Sequence, residues 1–77
     1  MLSKYLKEKR LSLGMTQKQC ADRIGYETSQ FISNWERGVS TPPLSVLGIV
    51  CRVYGLDSNK VKKFLVKEYV SKIERVL

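Results

Sequence analysis

Apolar residues recur at intervals of three and four through most of this chain, which is the spacing of one face of an α-helix. Several glycines fall where such a pattern stops, and glycine is the usual residue just after the end of a helix. The pattern predicts an all-α fold whose helices run over about residues 2–13, 16–24, 28–37, 43–54 and 58–77.

Two local signals bear on the first two helices. Thr16 and Gln19 have the spacing of a capping box, in which each side chain bonds to the other residue's backbone N–H. In the first helix, the inward stripe that contains Leu6 and Leu13 also contains Arg10. A buried guanidinium needs a hydrogen-bond acceptor or a carboxylate, so we expect Arg10 to have a partner elsewhere in the fold.

The third helix has two faces of different character. One arc is expected to pack against the first two helices through Phe31, Ile32 and Trp35. The opposite arc is polar, and its members are Gln30, Ser33, Asn34 and Arg37. A side-chain amide donates and accepts at once, so Gln30 and Asn34 can match adenine in the major groove of DNA. The alternative is a polar face that only contacts solvent.

The fifth helix is apolar around more than half of its circumference, which is wider than a helix packed on one core needs. We interpret the excess as a second buried face, most simply against a symmetry-related copy. The residues predicted at this dimer interface are Val61, Phe64, Leu65, Tyr69, Ile73 and Leu77. The alternative is that the helix only covers a small core and frays beyond about Tyr69.

Composition restricts the partners of the chain. Its 77 residues suit a single domain, residues 1–77, and its net charge of +7 makes phosphates the natural long-range partner. A basic surface that only keeps the protein in solution is the alternative. No stretch approaches the roughly 20 apolar residues of a membrane span, and the start lacks the pattern of a signal peptide. We therefore expect a cytoplasmic, nucleoid-associated protein of bacterial or phage origin.

The side chains offer little chemistry beyond binding. There is no histidine, and Cys20 and Cys51 sit among apolar positions, which favours buried reduced thiols over a redox or metal role. Glu36 lacks the second acid, histidine or metal cluster that would accompany a catalytic carboxylate. We expect no enzyme activity, no cofactor, no metal and no small-molecule ligand.

A set of residues between Leu6 and Leu56 has a combined spacing that is far more specific than any of its parts. They are Leu6, Arg10, Met15-Thr16-Gln17, Ala21, Ile24-Gly25, Ile32, Trp35-Glu36-Arg37-Gly38, Pro43 and the helix from Leu47 to Leu56. In these residues, over about two thirds of its length, the chain resembles the phage-repressor and Cro-like, or Xre-type, helix-turn-helix family. The resemblance implies a compact five-helix, lambda-repressor-like domain that binds operator DNA, usually as a homodimer. In this chain the C-terminal helix is extended.

The resemblance also implies roles for single residues. Arg10 and Glu36 match the family's internal ion pair, which would supply the acceptor that Arg10 requires. Gln17, with help from Thr16 and Lys18, is expected at a DNA phosphate, because the N-terminus of a helix favours an anion. The alternative for Gln17 is an exposed first-turn residue with no contact to DNA.

Base reading is expected from the start and the polar face of the third helix. The candidates are Thr28, Ser29, Gln30, Ser33 and Asn34. Two departures from the family pattern affect them, since the stretch between Gly25 and Glu36 is one residue longer than the commonest spacing, and Arg37 replaces the family's usual asparagine. The first can displace the start of the recognition helix, and the second suggests a phosphate contact at its end.

Together these features predict a sequence-specific transcriptional regulator, a homodimeric repressor whose two recognition helices read an inverted repeat in double-stranded operator DNA. A different class of function stays open. The chain would then be a protein-interaction module, such as an antitoxin-like or adaptor subunit, whose C-terminal helix at 58–77 docks on another protein. Salt dependence separates the two, because DNA binding weakens steeply as salt rises.

Overall fold

All five predicted helices are present in the computed structural model, which describes residues 1–77. They are α1 (Leu2–Ser12), α2 (Gln17–Ile24), α3 (Gln30–Glu36), α4 (Leu44–Tyr54) and α5 (Ser58–Val76). The structure contains no strand, so the predicted all-α class is confirmed. No helix is both long enough and apolar enough to cross a membrane.

Local chemistry sets both ends of α2. The Gln19 backbone N–H donates to Thr16 Oγ1 at 3.0 Å, and the Thr16 N–H donates to Gln19 Oε1 at 2.8 Å. This reciprocal pair is the predicted capping box, and it satisfies two N–H groups that a helix end would otherwise leave free. α2 ends at Gly25, whose φ of 106° is a left-handed conformation that other residues rarely adopt.

The start of α3 uses a different residue as its cap. Ser29 occupies the N-cap position, but its side chain makes no capping bond. Its φ of −84° and ψ of 3° are not the extended backbone from which a serine hydroxyl reaches the next turn. Thr28 Oγ1 instead accepts from the Gln30 N–H at 3.3 Å. The hydroxyl of Thr28 is therefore occupied at the helix start.

The turn before α3, which is one residue longer than the family's commonest spacing, is packed against the helix that follows. The Tyr26 ring lies 4.6 Å from the Phe31 ring in a stacked arrangement. The same ring meets Trp35 edge-on, with 5.8 Å between the ring centroids. Aromatic pairs at such distances are favourable, so the long turn is held against α3.

The core lies where α1, α2, α3 and α4 meet. Its most deeply buried large side chains are Leu6, Cys20, Ile32, Trp35, Val50 and Tyr54. Leu13, which the sequence places on the inward stripe of the first helix, is 49% exposed, and Leu44 is 86% exposed. Both lie at helix ends, since Leu13 is the C-cap of α1 and Leu44 is the first residue of α4.

α5 packs on the rest of the domain mainly through its first half, and Glu68 adds a hydrogen bond that its carboxylate accepts from the Leu2 N–H at 3.4 Å. Val61 is its one buried residue, and the Phe64 ring lies 5.7 Å from the Tyr5 ring of α1. The helix then continues to Val76, so fraying beyond Tyr69 does not describe this structure. The large apolar side chains that are exposed from Val66 to the end of the chain are Val66, Tyr69, Val70, Val76 and Leu77.

This placement changes the predicted dimer interface. Val61 belongs to the chain's own core, and Phe64 and Leu65 are partly buried against that core. At about 100° per residue these three positions share one arc of α5, whereas the exposed apolar residues lie on another. The arc that faces the core is therefore not open to a second copy. The predicted interface residues left for a partner are Tyr69, Ile73 and Leu77.

Gly48 lies inside α4 at a place that does not require glycine. Its φ is not positive, and a Cβ added there would meet only the Arg52 guanidinium, at an ordinary contact distance of 3.6 Å. Alanine is more favourable than glycine inside a helix by about 0.8 to 1 kcal/mol. Gly48→Ala is expected to raise the free energy of unfolding by up to about 1 kcal/mol, measured by urea denaturation followed by circular dichroism.

The matched control is Gly25→Ala, which makes the same chemical change at a left-handed position. It is expected to lower the free energy of unfolding, because alanine is strained at this φ. A loss of stability in Gly48→Ala would contradict the open space found around this residue.

Candidate nucleic-acid interface

α3 is held so that one face is buried and the other reaches solvent. Ile32 and Trp35 are 0% and 2% exposed, and α3 contacts both α1 and α2. On the opposite side Gln30 and Arg37 are exposed and Asn34 is half-buried. A helix fixed in this way can enter the major groove of DNA with its polar face forward, because the groove is about 12 Å wide.

A buried ion pair joins α1 to the last residue of α3. Arg10 Nε donates to Glu36 Oε2 at 2.7 Å and Arg10 Nη2 donates to Oε1 at 2.8 Å, so the guanidinium binds both carboxylate oxygens. Arg10 Nη1 donates to the Met15 carbonyl at 2.9 Å. The Arg10 and Glu36 side chains are only 10% and 3% exposed. The hydrogen bond to Glu36 raises the pKa of Arg10 above its ordinary value, against the opposing effect of burial.

The three candidates for a phosphate contact lie at the N-terminus of α2, and their side chains are already engaged within the protein. Gln17 Nε2 donates to Glu36 Oε1 at 3.4 Å. Lys18 Nζ donates to Asp22 Oδ1 at 2.8 Å and to the Glu27 carbonyl at 2.7 Å. The hydroxyl of Thr16 serves the capping box. The backbone N–H groups of Gln17 and Lys18, which lie in the first turn and are not used by the capping box, are the groups best placed for an anion.

The polar face of α3 has a hydrogen-bond network of its own. Gln30 Nε2 donates to Asn34 Oδ1 at 3.0 Å, and Arg37 Nη2 donates to the same oxygen at 2.7 Å. The amides of the two sharpest base-reading candidates are therefore held in a defined orientation. The other candidates, which precede the helix or lie half-buried on it, are Thr28, Ser29 and Ser33.

The sequence did not predict the internal hydrogen bonds of the phosphate candidates. Only one of these bonds has a sequence spacing that could have indicated it. Lys18 and Asp22 lie four positions apart on one helix, a spacing at which opposite charges pair. Gln17 and Glu36 lie 19 positions apart on different helices, so no helical spacing links them. The contact between Gln17 and Glu36 connects the predicted phosphate site to the end of α3.

The cysteines lie apart from these polar groups. Cys20 is fully buried, and burial raises the pKa of its thiol. Cys51 is half-buried, and the two thiols are free rather than joined in a disulfide. Burial also raises the pKa of the Tyr54 hydroxyl, which lies in the same core. These groups are part of the packing beneath α2 and α3.

Comparison with known families places these helices in context. A family model described as helix-turn-helix matches residues 6–61, which is more than half of the chain. The family consists of DNA-binding domains and is not enzymatic. Comparison with curated proteins found no significant match, and neither did comparison with solved structures. The matched range ends at Val61, so most of α5 lies outside it.

Removal of Glu36 is expected to destabilise the domain strongly. Glu36→Ala leaves the Arg10 guanidinium buried without its carboxylate, and breaking a buried pair in this way typically costs about 3 to 5 kcal/mol. The free energy of unfolding, measured by urea denaturation at a fixed protein concentration, is expected to fall by about this amount.

Glu8→Ala is the matched control. Glu8 pairs with Lys4 at 3.9 Å, but the two side chains are 62% and 77% exposed. Exposed pairs of this kind contribute about 0 to 1 kcal/mol. Equal losses of stability in the two variants would contradict the importance assigned to the buried pair.

Proposed function

The chain belongs to the Xre-type helix-turn-helix family, and we propose that it is a transcriptional repressor that binds an inverted repeat in operator DNA as a homodimer. The observation that carries the proposal is the polar face of α3, which reaches solvent while the opposite face is fixed in the core. A net charge of +7 attracts the phosphate backbone. Repression then follows from occupancy of the operator, which excludes other proteins from the same DNA.

In this proposal α3 reads bases and the start of α2 binds phosphate. Gln30 is the best-placed base reader, because it is the exposed first residue of α3 and the N-terminal residues of a recognition helix reach base edges. Gln17 and Lys18 lie at the N-terminus of α2, where backbone N–H groups can donate to a phosphate oxygen. Such a contact positions the protein without reading sequence.

The exposed half of α5 supports a homodimer. Four of its apolar residues follow one another at intervals of four, three and four, which is the heptad spacing of paired helices. This α5 stripe consists of Val66, Val70, Ile73 and Leu77. Leu44 and Tyr69 border the same shallow apolar depression as Val66 and Val70. A second copy that covers the α5 stripe removes it from water, and the two-fold symmetry of such a pair matches an inverted repeat.

The α5 stripe also suits a different protein as partner, and this is the second candidate function. The chain would then be an adaptor or antitoxin-like subunit for which DNA binding is secondary. The stripe lies outside the range matched by the family model, so membership of the family does not decide between the two. The oligomeric state of the pure protein distinguishes them.

Base reading and phosphate binding are expected to respond differently to substitution. Gln30→Ala removes a base-reading amide and is expected to cost about 1 to 3 kcal/mol of affinity for the operator, with little change for random DNA. Gln17→Ala is expected to weaken binding to both alike, because its side chain connects Glu36 to the first turn of α2, whose backbone N–H groups donate to the phosphate. The measurement is fluorescence anisotropy with a duplex selected from random sequences and a shuffled duplex of the same length.

The reverse pattern would contradict the roles assigned to the two glutamines. The proposal of operator binding itself fails if selection enriches no inverted repeat. It also fails if affinity does not fall with salt at a log-log slope of about −0.9 per phosphate contacted.

A charge on the α5 stripe is expected to separate the two copies. Val70→Asp places a carboxylate on a position that is 44% exposed in the single chain, so the variant is expected to fold but to become a monomer. Light scattering coupled to size exclusion measures the mass of the wild type and of the variant. Operator affinity of the variant is expected to fall because the two half-sites are no longer bound together.

Ser71→Asp is the matched control, since it introduces the same side chain at the next position, which is also exposed but lies about 100° around α5 from Val70 and off the α5 stripe. It is expected to remain a dimer. A wild-type protein that is a monomer at all concentrations would contradict the homodimer and favour a different protein on the α5 stripe.

A further inference from the structure

Asn34 Oδ1 is the centre of the polar network on α3. It accepts one hydrogen bond from Arg37 Nη2 at 2.7 Å and another from Gln30 Nε2 at 3.0 Å. A guanidinium can only donate, so the Asn34 atom beside Arg37 has to be the amide oxygen and not the nitrogen. The presence of Arg37 therefore fixes which way the Asn34 amide points.

The hydrogen bonds from Arg37 and Gln30 also occupy the amide oxygen of Asn34. An amide oxygen has two lone pairs, and both are engaged in this arrangement. What Asn34 offers to a base is its amide nitrogen, which carries two N–H donors. Gln30 differs, because only one of its N–H groups donates to Asn34. Its other N–H and its own carbonyl oxygen stay free to contact a base. The two amides on this face thus present different groups to DNA.

We propose that Arg37 determines base preference by holding Asn34 as a pure hydrogen-bond donor, an inference that rests on the proposed operator binding. In the major groove, guanine presents N7 and O6 and thymine presents O4, all of them acceptors. Adenine and cytosine present an amino donor at the corresponding place. Asn34 held in this way favours guanine or thymine over adenine, which offers it N7 but no acceptor at the amino position, and over cytosine, which offers it no acceptor. The bidentate adenine contact that the sequence suggested for Asn34 is excluded, whereas Gln30 retains it.

Arg37 is thus a positioning residue with an effect on specificity. Its long side chain reaches back from the C-cap of α3 to a residue three positions earlier. Removal of the guanidinium frees one lone pair on Asn34 Oδ1, and the amide can then accept from adenine N6 while it donates to N7. Arg37 therefore sets the base preference of Asn34 without contacting the base itself.

The experiment is selection from random duplexes with the full chain and three variants. Asn34→Ala identifies the base read by Asn34, as the position whose preference disappears. At that position the wild type is expected to favour guanine or thymine over adenine by about tenfold. Arg37→Met is expected to reduce this preference to within about threefold or to shift it to adenine, because the oxygen of Asn34 becomes free to accept.

Arg52→Met is the matched control, since it removes the same charge from an exposed position on α4. It is expected to leave the preference unchanged, and thermal melting by circular dichroism checks that both methionine variants fold. Two outcomes overturn the inference while leaving operator binding in place. One is an adenine preference at this position in the wild type, and the other is an unchanged preference in Arg37→Met. Failure of the wild type to enrich any motif overturns the proposed function instead.

Discussion

The contact on which the interface depends is the buried bidentate pair of Arg10 and Glu36. α3 has only seven residues, and a helix so short does not hold its shape or its direction alone. Ile32 and Trp35 fix one side of it in the core, while Glu36 fixes its end to α1. Such a pair adds little net stability, but its two parallel hydrogen bonds restrict the angle between the groups.

The same carboxylate also accepts a hydrogen bond from Gln17, so α1, α2 and α3 meet at one side chain. The first turn of α2 and the end of α3 are thereby kept at a fixed relation to one another. The proposed phosphate contact and the proposed base contact lie on these two helices. Because the shared carboxylate holds the helices together before DNA is bound, less ordering is left to occur on binding.

Most of the fold could be predicted because its signals are local. The capping box of Thr16 and the glycine at the end of α2 act within a single turn of chain. The buried face of α5 was harder to predict. Helical periodicity shows that there are two apolar arcs but not which one the domain covers. For this reason the prediction of Val61 at a dimer interface is wrong, since Val61 belongs to the chain's own core.

The residues of the candidate interface could be predicted from the sequence. The donor and acceptor atoms that each residue keeps free for DNA could not. The polar identity of Gln30, Asn34 and Arg37 follows from the sequence, as does their common face. Which lone pair and which N–H each residue keeps depends on side-chain rotamers and on neighbours in space. The same is true of Lys18, whose positive charge follows from the sequence. That its ammonium donates to Asp22 and to a carbonyl in the turn does not. The α5 stripe would also make assembly of the protein depend on its concentration. In the proposed homodimer, scarce dimers increase with the square of the amount of monomer, so a twofold rise in synthesis gives about a fourfold rise in the form that binds the operator. Through this helix, the occupancy of the operator would respond steeply to the concentration of the protein itself, without a separate effector molecule.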